Sequence, residues 1–394
     1  MLTNKAYVGV NLADIHWGVI NPKKYYEQLK KVVLDYLEEL PILDYIMIAG
    51  DYFDTKLSMN SEHAKYALKF MSKLFDIAKK KKTKIRIIKG TETHDNKQLE
   101  LLESMPNDDK IDFKVINTVT DEWLFDDLHI LYIPEEYVEN KDEYYGEYFS
   151  KEYDMIIGHG LVNEVAFVAS KQESEVTMSK APIFKSDILL KICKGPIFFG
   201  HIHIPQVIKD RFFYIGSTTR WCYGEEDDKG FYLVTYSPEN GKFITEFVVN
   251  KLADRYDTVI IDYNSSMFKS SEKDQIDFLL EIVNNMRVDH LRLIINIPED
   301  YPNAILLTNM INELFSKYQN LKVIINNNSK MRKKKETEEK INLLLEKYGM
   351  IFDKTKSHEE KISEYIRIKY NKNIPVNKIR YYLYQKILEV DYGE

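Results

Sequence analysis

Cysteine is scarce in this sequence of 394 residues, which contains only Cys193 and Cys222. Two cysteines this far apart provide neither a disulfide framework nor the paired ligands of a zinc ribbon, so we expect a reducing compartment. Long apolar runs are absent as well: no stretch of about 18 uninterrupted apolar residues occurs, and no apolar segment follows a basic start at the amino terminus. We therefore expect a protein that is neither secreted nor membrane-spanning.

An excess of basic residues is also absent. The chain has 55 lysines and arginines against 62 aspartates and glutamates, which gives a formal net charge of -7. Because proteins bind nucleic acid largely through basic residues, this balance excludes DNA binding by bulk electrostatics alone. Any contact with DNA has to be local or shared with a basic partner.

Short apolar segments of strand length alternate with helix-length segments in the first part of the chain. We predict strands over 6–12, 44–49, 83–88, 154–157 and 196–199. Apolar residues spaced three and four apart predict helices over 22–40 and 60–80. Strands that alternate with helices indicate an α/β core.

The pattern changes twice farther along the chain. Short strands and turns close a first domain near residue 250, and a βαβαβ pattern predicts a small second domain over 251–329. From 330 to 394 the chain is charged, and we predict helices over 331–348, 357–370 and 376–389. Apolar residues at helical spacing in the last two helices predict a face for a partner, with packing onto the second domain as the alternative.

Histidine and aspartate occur in the loops that follow five predicted strands. These residues are Asp14 and His16 in LADIHWG, Asp51 and Asp54 in IAGDYFDT, His94 in KGTETHD, His159 in IIGHG, and His201 and His203 in FFGHIHIP. Because ligands of open α/β sheets bind at the carboxyl ends of the strands, these loops can converge on one crevice. Residues separated by one position, as in D-x-H and H-x-H, reach the same side of an extended segment. The sequence therefore predicts a metal site.

The types of ligand indicate which metals this site would hold. Mixed imidazole and carboxylate ligands suit manganese, iron or zinc better than magnesium or calcium, which prefer oxygen ligands. A carboxylate shared by two cations holds them roughly 3.5 to 4 Å apart, the spacing of two-metal phosphoryl-transfer sites. The ligand types are therefore compatible with a two-metal site for phosphoryl displacement.

The five motifs together resemble the calcineurin-like metallophosphoesterase superfamily. Within it, IAGDYFDT resembles the G-D-x-F-D-T of the nuclease subunit of SbcCD-type DNA repair complexes, and in particular of the recombination nuclease subunits of tailed phages. Residues 214–234, YIGSTTRWCYGEEDDKGFYLV, resemble the segment that follows the H-x-H loop in these nucleases. Protein phosphatases of the superfamily have Arg-Gly after the second aspartate, and this chain does not.

This resemblance implies a fold, an activity and partners. The implied fold is a four-layer αββα metallophosphoesterase sandwich over 1–250, a small α+β capping domain over 251–329 and C-terminal helices over 330–394. The implied activity is that of a manganese-dependent DNA exonuclease or endonuclease in DNA recombination and repair. The C-terminal helices would bind the coiled coil of an SbcC-type ABC ATPase, and a homodimer stays open. The location would be the cytoplasm, or the host cytoplasm if the protein is phage-encoded.

The resemblance also assigns metal ligands. Asp14, His16, Asp51 and His203 would hold the first cation, and Asp51, which bridges, would hold the second with His159 and His201. The remaining ligand of the second cation is, in the family, the asparagine before the catalytic histidine. Here that position is Thr93, which we take as the ligand, with Glu92 and Asn96 as alternatives.

Further residues would act in proton transfer and in substrate binding. By the resemblance, His94 would protonate the leaving oxygen, and Asp54 would hold the His94 ring in its tautomer and orientation. Arg220, beside Ser217, would contact a substrate phosphate, and a surface charge is the alternative for this arginine. Trp17 and Trp221 would either stack on a base or pack against the protein, and we favour packing.

Two other functions stay open from the sequence. One is a phosphodiesterase or phosphatase of the same fold that acts on small molecules, which the large C-terminal addition and the missing Arg-Gly disfavour. The other is a non-catalytic scaffold with a degenerate site, because Thr93 stands where the family has asparagine.

Overall fold

The computed structural model describes residues 5–105, 110–165, 183–262, 272–285, 288–297, 304–318, 320–327, 356–370 and 372–379. The chain divides into two compact units, Met1–Thr258 with Arg287–Leu291, and Val259–Met286 with Arg292–Glu394. The first unit thus ends at Thr258 rather than near residue 250. The region predicted as C-terminal helices falls in the second unit, together with the predicted capping domain apart from 251–258 and 287–291.

The first unit is rich in strands that are short and buried. In chain order they are β1 (Tyr7–Leu12), β2 (Tyr45–Ala49), β3 (Lys84–Ile88), β4 (Phe113–Ile116), β5 (Thr120–Phe125), β6 (Leu128–Ile133), β7 (Met155–His159), β8 (Leu161–Val162), β9 (Ile183–Phe184), β10 (Ile197–Gly200), β11 (Gln206–Ile208), β12 (Phe212–Tyr214), β13 (Gly230–Ser237) and β14 (Lys242–Val249).

Twelve of these strands form two six-stranded mixed sheets. The first sheet has the order β14-β13-β1-β2-β3-β4, and the second has the order β11-β12-β10-β7-β6-β5. Strands β1 to β4 are parallel to one another, as are β6, β7, β10 and β12. Parallel neighbours end at the same edge of their sheet, so the loops of interest lie together at one edge of each sheet.

The alternation of side chains along β2 shows how the two sheets pack. Ile46 and Ile48 belong to a core that also contains residues of the helices over 22–39 and 62–81, whereas Tyr45 and Met47 belong to a core shared with the second sheet. Alternate residues of a strand point to opposite faces, so β2 is covered on both sides. A third core lies between the other face of the second sheet and the helices over 141–149 and 186–192. The first unit therefore has helices outside two stacked sheets, and the predicted α/β class is confirmed.

Capping residues set the ends of the helices that cover the first sheet. Helix α1 (Pro22–Leu29) begins after Asn21, whose side chain accepts a hydrogen bond from the backbone amide of Lys24 at 3.0 Å. The chain continues through a π-helical segment, Lys30–Leu34, into α2 (Asp35–Glu39). The remaining helices of this unit are α3 (Glu62–Lys81), α4 (Leu99–Glu103), α5 (Lys141–Phe149) and α6 (Ser186–Ile192).

A buried arginine joins the two sheets near the β4 and β5 edge. The side chain of Arg86, on β3, is 1% exposed, and it donates two hydrogen bonds to the Glu122 carboxylate of β5, both at 2.8 Å. It donates a third to Asp112 at 2.8 Å. A bidentate arginine–carboxylate pair of this kind is strong, and removal of one partner leaves an uncompensated buried charge.

The second unit contains most of a three-stranded sheet and its covering helices. The order along the chain is β15 (Tyr256–Asp262), α7 (Glu272–Asn285), β16 (His290–Ile297), α8 (Ala304–Phe315) and β17 (Leu321–Asn327), with β16 in the middle of the sheet. Helix α9 (His358–Tyr370) follows. The predicted helix over 331–348 lies outside the described residues, and so does most of the one over 376–389. Among the described helices, none is long and apolar enough to cross a membrane.

Replacement of Glu122 by glutamine tests the buried ion pair. Burial opposes ionisation of Glu122, but hydrogen bonds from Arg86 and Lys114 lower its pKa. A lowered pKa means that the pair stabilises the fold at neutral pH and loses this effect as the pH falls through the folded pKa. We expect Glu122→Gln to lower the free energy of unfolding at pH 7 by about 2 to 3 kcal/mol, since Asp112 still contacts the arginine.

Urea unfolding at pH 7 and below about pH 4 measures this difference, which should shrink at the acidic pH. Glu147→Gln is the matched control, because its carboxylate is 78% exposed in an ion pair with Lys151. Equal stability of Glu122→Gln and the wild type at pH 7 would contradict the assignment.

Candidate metal centre

Four residues of the strand-end loops have a backbone conformation that side chains other than glycine rarely adopt. The φ angles are 48° at Asp14, 52° at His16, 50° at Asp51 and 90° at His201. Each such residue costs of order 1 to 3 kcal/mol, and such residues cluster at functional sites. The fold holds these four side chains at the ends of β1, β2 and β10 at an energetic cost.

The carboxylate of Asp51 lies at the centre of the group. Its Oδ2 atom lies 2.9 Å from His94 Nδ1, 3.3 Å from His159 Nε2 and 3.7 Å from His16 Nε2. Thr91 donates to the same carboxylate twice, from its backbone amide at 2.6 Å and from its hydroxyl at 3.2 Å. Loops from both sheets thus meet at one buried oxygen.

The predicted ligands form three overlapping groups around this point. Within each group, one ligand atom per residue lies within 4.8 Å of the others, and the groups are Asp14 with His16 and His203, His16 with Asp54 and His94, and Asp51 with His159 and His201. The structure therefore brings together every aspartate and histidine that the five motifs contain.

Several buried polar atoms in these groups have no hydrogen-bond partner among the described residues. They are Asp14 Oδ2, His16 Nε2 and His201 Nε2. Leaving such an atom unpaired costs about 1 to 3 kcal/mol, so each one requires an explanation. Imidazole nitrogens and carboxylate oxygens are ligands for transition metals, and a cation would satisfy these atoms. The residues present therefore fit divalent metal ions.

Hydrogen bonds behind the ligands fix their orientation. His159 Nδ1 donates to the carbonyl oxygen of Ala49 at 2.8 Å, so Nε2 is the nitrogen left to bind a metal. The backbone amide of His201 donates to Asp14 Oδ1 at 2.9 Å, which ties the β10 loop to the β1 loop. Both contacts connect one sheet to the other at the carboxyl ends of their strands.

Asp95 is fully buried and connects the loops after β2 and β3. Its carboxylate accepts from the backbone amides of Asp51, Phe53 and Gly90 at 3.0, 3.1 and 2.8 Å. Burial and the neighbouring charge of Asp51 raise the pKa of Asp95 to about 6. We had no role for Asp95 from the sequence, although it directly follows His94.

Carboxylates and imidazoles of the cluster shift one another's pKa values in the direction that favours protonated histidines. Burial opposes ionisation of Asp51, but His159 and His94 lower its pKa well below the ordinary value. Burial would lower the pKa of His159, but Asp51 raises it well above the ordinary value. Cation binding would displace these protons, because metal ligands must be deprotonated.

The contacts of Asp54 differ from the expected ones. We expected Asp54 to orient His94, but its carboxylate lies 3.2 Å from His16 Nδ1. His94 instead points Nδ1 at Asp51, and although burial opposes this, Asp51 raises the pKa of His94 to about 9. Asp54 thus positions a metal ligand in this structure, and its influence on His94 is electrostatic.

Thr93, Ser217 and Arg220 also have contacts that differ from the expected ones. Thr93 is exposed on the loop, whereas Thr91, two residues earlier, contacts Asp51. Ser217 is buried and donates to the Thr219 carbonyl at 2.9 Å, and Arg220 donates to the Asp227 carbonyl at 2.6 Å. Arg220 holds its own loop together, whereas the Ser217 hydroxyl also donates to the carbonyl oxygen of His203, a member of the first ligand group, at 3.5 Å.

The two tryptophans pack against the protein, as we favoured. Trp17 is fully buried in the core beneath the first sheet. The ring of Trp221 lies 5.0 Å from that of His16 and 4.8 Å from that of His203, measured between centroids. Trp221 therefore covers one side of the first ligand group.

Glu135 is a further buried acidic residue of the site to which sequence motifs assign no role. Glu135 is 1% exposed, and its Oε2 atom lies 3.2 Å from His201 Nδ1. It follows β6, whose parallel neighbour β7 ends at His159. The sequence contains a hint of this residue, because LHILYI is another apolar strand followed by acidic residues. No histidine follows that strand, so it does not resemble the other five motifs.

Comparisons with known proteins identify neither a family nor a function. No protein-family model matches the chain, and no curated protein is similar to it. Among 29 solved chains that resemble it, one crystal structure with no stated function is 10% identical, with a TM-score of 0.34. That match covers 62% of this chain and 100% of the other, and at this TM-score it carries no argument about function.

Substitution of Gly90 tests whether the close packing at Asp51 is needed for metal binding. A Cβ atom at Gly90 would lie 2.1 Å from Asp51 Oδ1 and 2.2 Å from its backbone nitrogen. We expect Gly90→Ala to displace Asp51, to cost about 1 to 3 kcal/mol of stability and to abolish tight manganese binding. Calorimetric titration with Mn²⁺ measures this.

Gly146→Ala is the control, because no atom lies within 4 Å of a Cβ at that position in α5. It should bind manganese like the wild type. Normal manganese binding by Gly90→Ala would show that the close packing of Gly90 against Asp51 is not needed for metal binding.

Proposed function

We propose that the chain is the metal-dependent DNA nuclease subunit of an SbcCD-type recombination and repair complex, with the four-layer sandwich of the calcineurin-like metallophosphoesterases. The observation that carries this proposal is the convergence of three histidines from both sheets on Asp51 Oδ2. The order and spacing of the five motifs support the nuclease branch of that superfamily over its phosphatases.

The residues divide between two cations. Asp14, His16 and His203 would hold one, His159 and His201 would hold the other, and Asp51 would be shared. Manganese is the metal we propose, since these ligands are mixed imidazole and carboxylate. When bound, two divalent cations stabilise the negative charge that develops on a phosphodiester and lower the pKa of water.

We assign proton transfer to His94. Its side chain is 30% exposed, whereas those of Asp51 and His159 are at most 2% exposed, so a substrate can reach the His94 ring. A histidine at this position can donate a proton to the departing oxygen of a cleaved phosphodiester. Asp51 and the Gln98 side chain, which donates to the His94 carbonyl at 3.1 Å, restrict the position of the ring.

The acidic character of the chain supports a role for a partner. A net charge of -7 disfavours tight DNA binding by this chain alone. We propose that residues 330–394 bind the coiled coil of an SbcC-type ABC ATPase in the cytoplasm, and that this partner supplies the basic surface for the duplex. The C-terminal helices predicted from the sequence support this proposal.

A substrate panel tests the proposed activity. With Mn²⁺ present, the full-length protein should cleave linear duplex DNA, and addition of the partner ATPase should increase the rate. Cyclic nucleotides and p-nitrophenyl phosphate should be poor substrates. Hydrolysis of these small molecules with intact DNA would instead support a small-molecule phosphodiesterase or phosphatase.

Two substitutions separate metal binding from chemistry. His94→Gln should bind manganese normally and cleave DNA about 100- to 10,000-fold more slowly, because general-acid catalysis contributes on this order. Asp51→Ala should lose both properties, since it removes the shared ligand. Cleavage rate and manganese stoichiometry are measured on the same preparations.

His63→Gln, a substitution in α3 outside the ligand groups, is the control for both variants. It should bind metal and cleave DNA like the wild type. An unchanged cleavage rate in His94→Gln would refute the role of His94 as the proton donor.

A further inference from the structure

We infer that Glu135 and Thr91 complete the site of the second cation, with the Glu135 carboxylate in place of the asparagine amide that the resemblance would put there. The inference rests on the proposed two-cation function and concerns ligands that only this chain's structure reveals. It also replaces Thr93 as the substitute for the missing asparagine.

The position of the Glu135 carboxylate is the first evidence. Its Oε2 atom lies 3.2 Å from His201 Nδ1, 3.4 Å from Thr91 Oγ1 and 3.8 Å from His159 Nε2. Both histidines belong to the second ligand group. A buried carboxylate between two metal-binding imidazoles has the chemistry of a ligand.

The Thr91 hydroxyl lies among the same residues. Its Oγ1 atom is 3.2 Å from Asp51 Oδ2 and 3.5 Å from both His159 Nε2 and His201 Nδ1. Neighbouring ligand atoms around a six-coordinate ion at about 2.1 Å lie about 3.0 Å from one another. The separations observed here, 3.2 to 3.8 Å, are close to that spacing and need only a small contraction.

The protein holds Glu135 in place without any cation. The side chain is 1% exposed, and its backbone amide donates to the Lys89 carbonyl at 3.1 Å. The Tyr137 hydroxyl donates to Oε1 at 3.1 Å, which leaves Oε2 directed at the histidines. A carboxylate that is already oriented loses little entropy when it binds a metal.

Glu92 and Thr93 do not have these contacts, and the side chain of Asn96, the other alternative, lies outside the described part of the structure. Glu92 is 49% exposed and pairs with Lys89 at 3.1 Å, and Thr93 is exposed. Both point to solvent, whereas Glu135 comes from a different strand of the second sheet. The carboxylate that replaces the missing amide therefore comes from across the site, and Thr91 adds a hydroxyl from the loop.

A third carboxylate changes the charge of the site. Asp14, Asp51 and Glu135 would offset three of the four positive charges of two divalent cations, one more than the two aspartates would. The second cation should therefore bind more tightly than it would to an amide, because an ionised ligand interacts more strongly than a neutral one.

Manganese titration of the metal-free, full-length protein tests this inference. Calorimetry counts the ions, and electron paramagnetic resonance detects the coupling between two manganese ions that share Asp51. We expect two ions in the wild type. Glu135→Gln should raise the Kd of one ion at least about 10-fold and Glu135→Ala at least about 100-fold, with loss of the coupled signal.

Glu92→Gln makes the same chemical change on an exposed neighbour, and Thr93→Ala removes the other candidate. Both should bind two coupled ions like the wild type. Glu135→Gln keeps the size of the side chain, so it provides the result if Glu135→Ala does not fold.

Two coupled ions with wild-type affinity in Glu135→Gln and Glu135→Ala would overturn the inference and leave the proposed function intact. Loss of the second ion in Thr93→Ala instead would do the same. A wild-type protein that binds no manganese would overturn both the inference and the proposed function.

Discussion

Four side chains from the ends of three strands approach one oxygen of the buried Asp51 carboxylate, and both sheets meet at this point. His94 and Thr91 come from the loop after β3, His159 from β7 and His16 from the loop after β1. A buried carboxylate is tolerated only if charge or hydrogen bonds compensate it. In this protein that compensation comes from groups that could themselves bind a metal ion.

The site is energetically costly to the fold. Four residues with left-handed backbone and several unpaired buried polar atoms are each destabilising by themselves. The surrounding sheets pack through three separate apolar cores, and burial of these cores offsets the cost of the strained residues and unpaired atoms. Cation binding would satisfy the unpaired atoms and stabilise the folded state by mass action.

Much of this site could be predicted from the sequence, because its information is local. An apolar strand followed by D-x-H or H-x-H places two ligands at a strand end, and Asp14, His16, His201 and His203 follow that rule. Contacts between distant segments could not be predicted. Whether Asp54 contacts His16 or His94 depends on side-chain positions of a few ångström, and Thr91 rather than Thr93 faces Asp51 because the loop makes a turn after Gly90. Glu135 carries no motif, and only the parallel pairing of β6 with β7 brings it to the site.

The measurement that tests this account most directly is anomalous diffraction at the manganese absorption edge from crystals of the full-length protein soaked in Mn²⁺. The account predicts two peaks in the space between the sheets, both beside Asp51, with one near His16 and the other near His159. No peak beside Asp51, or ions bound only at other places on the protein, would contradict it.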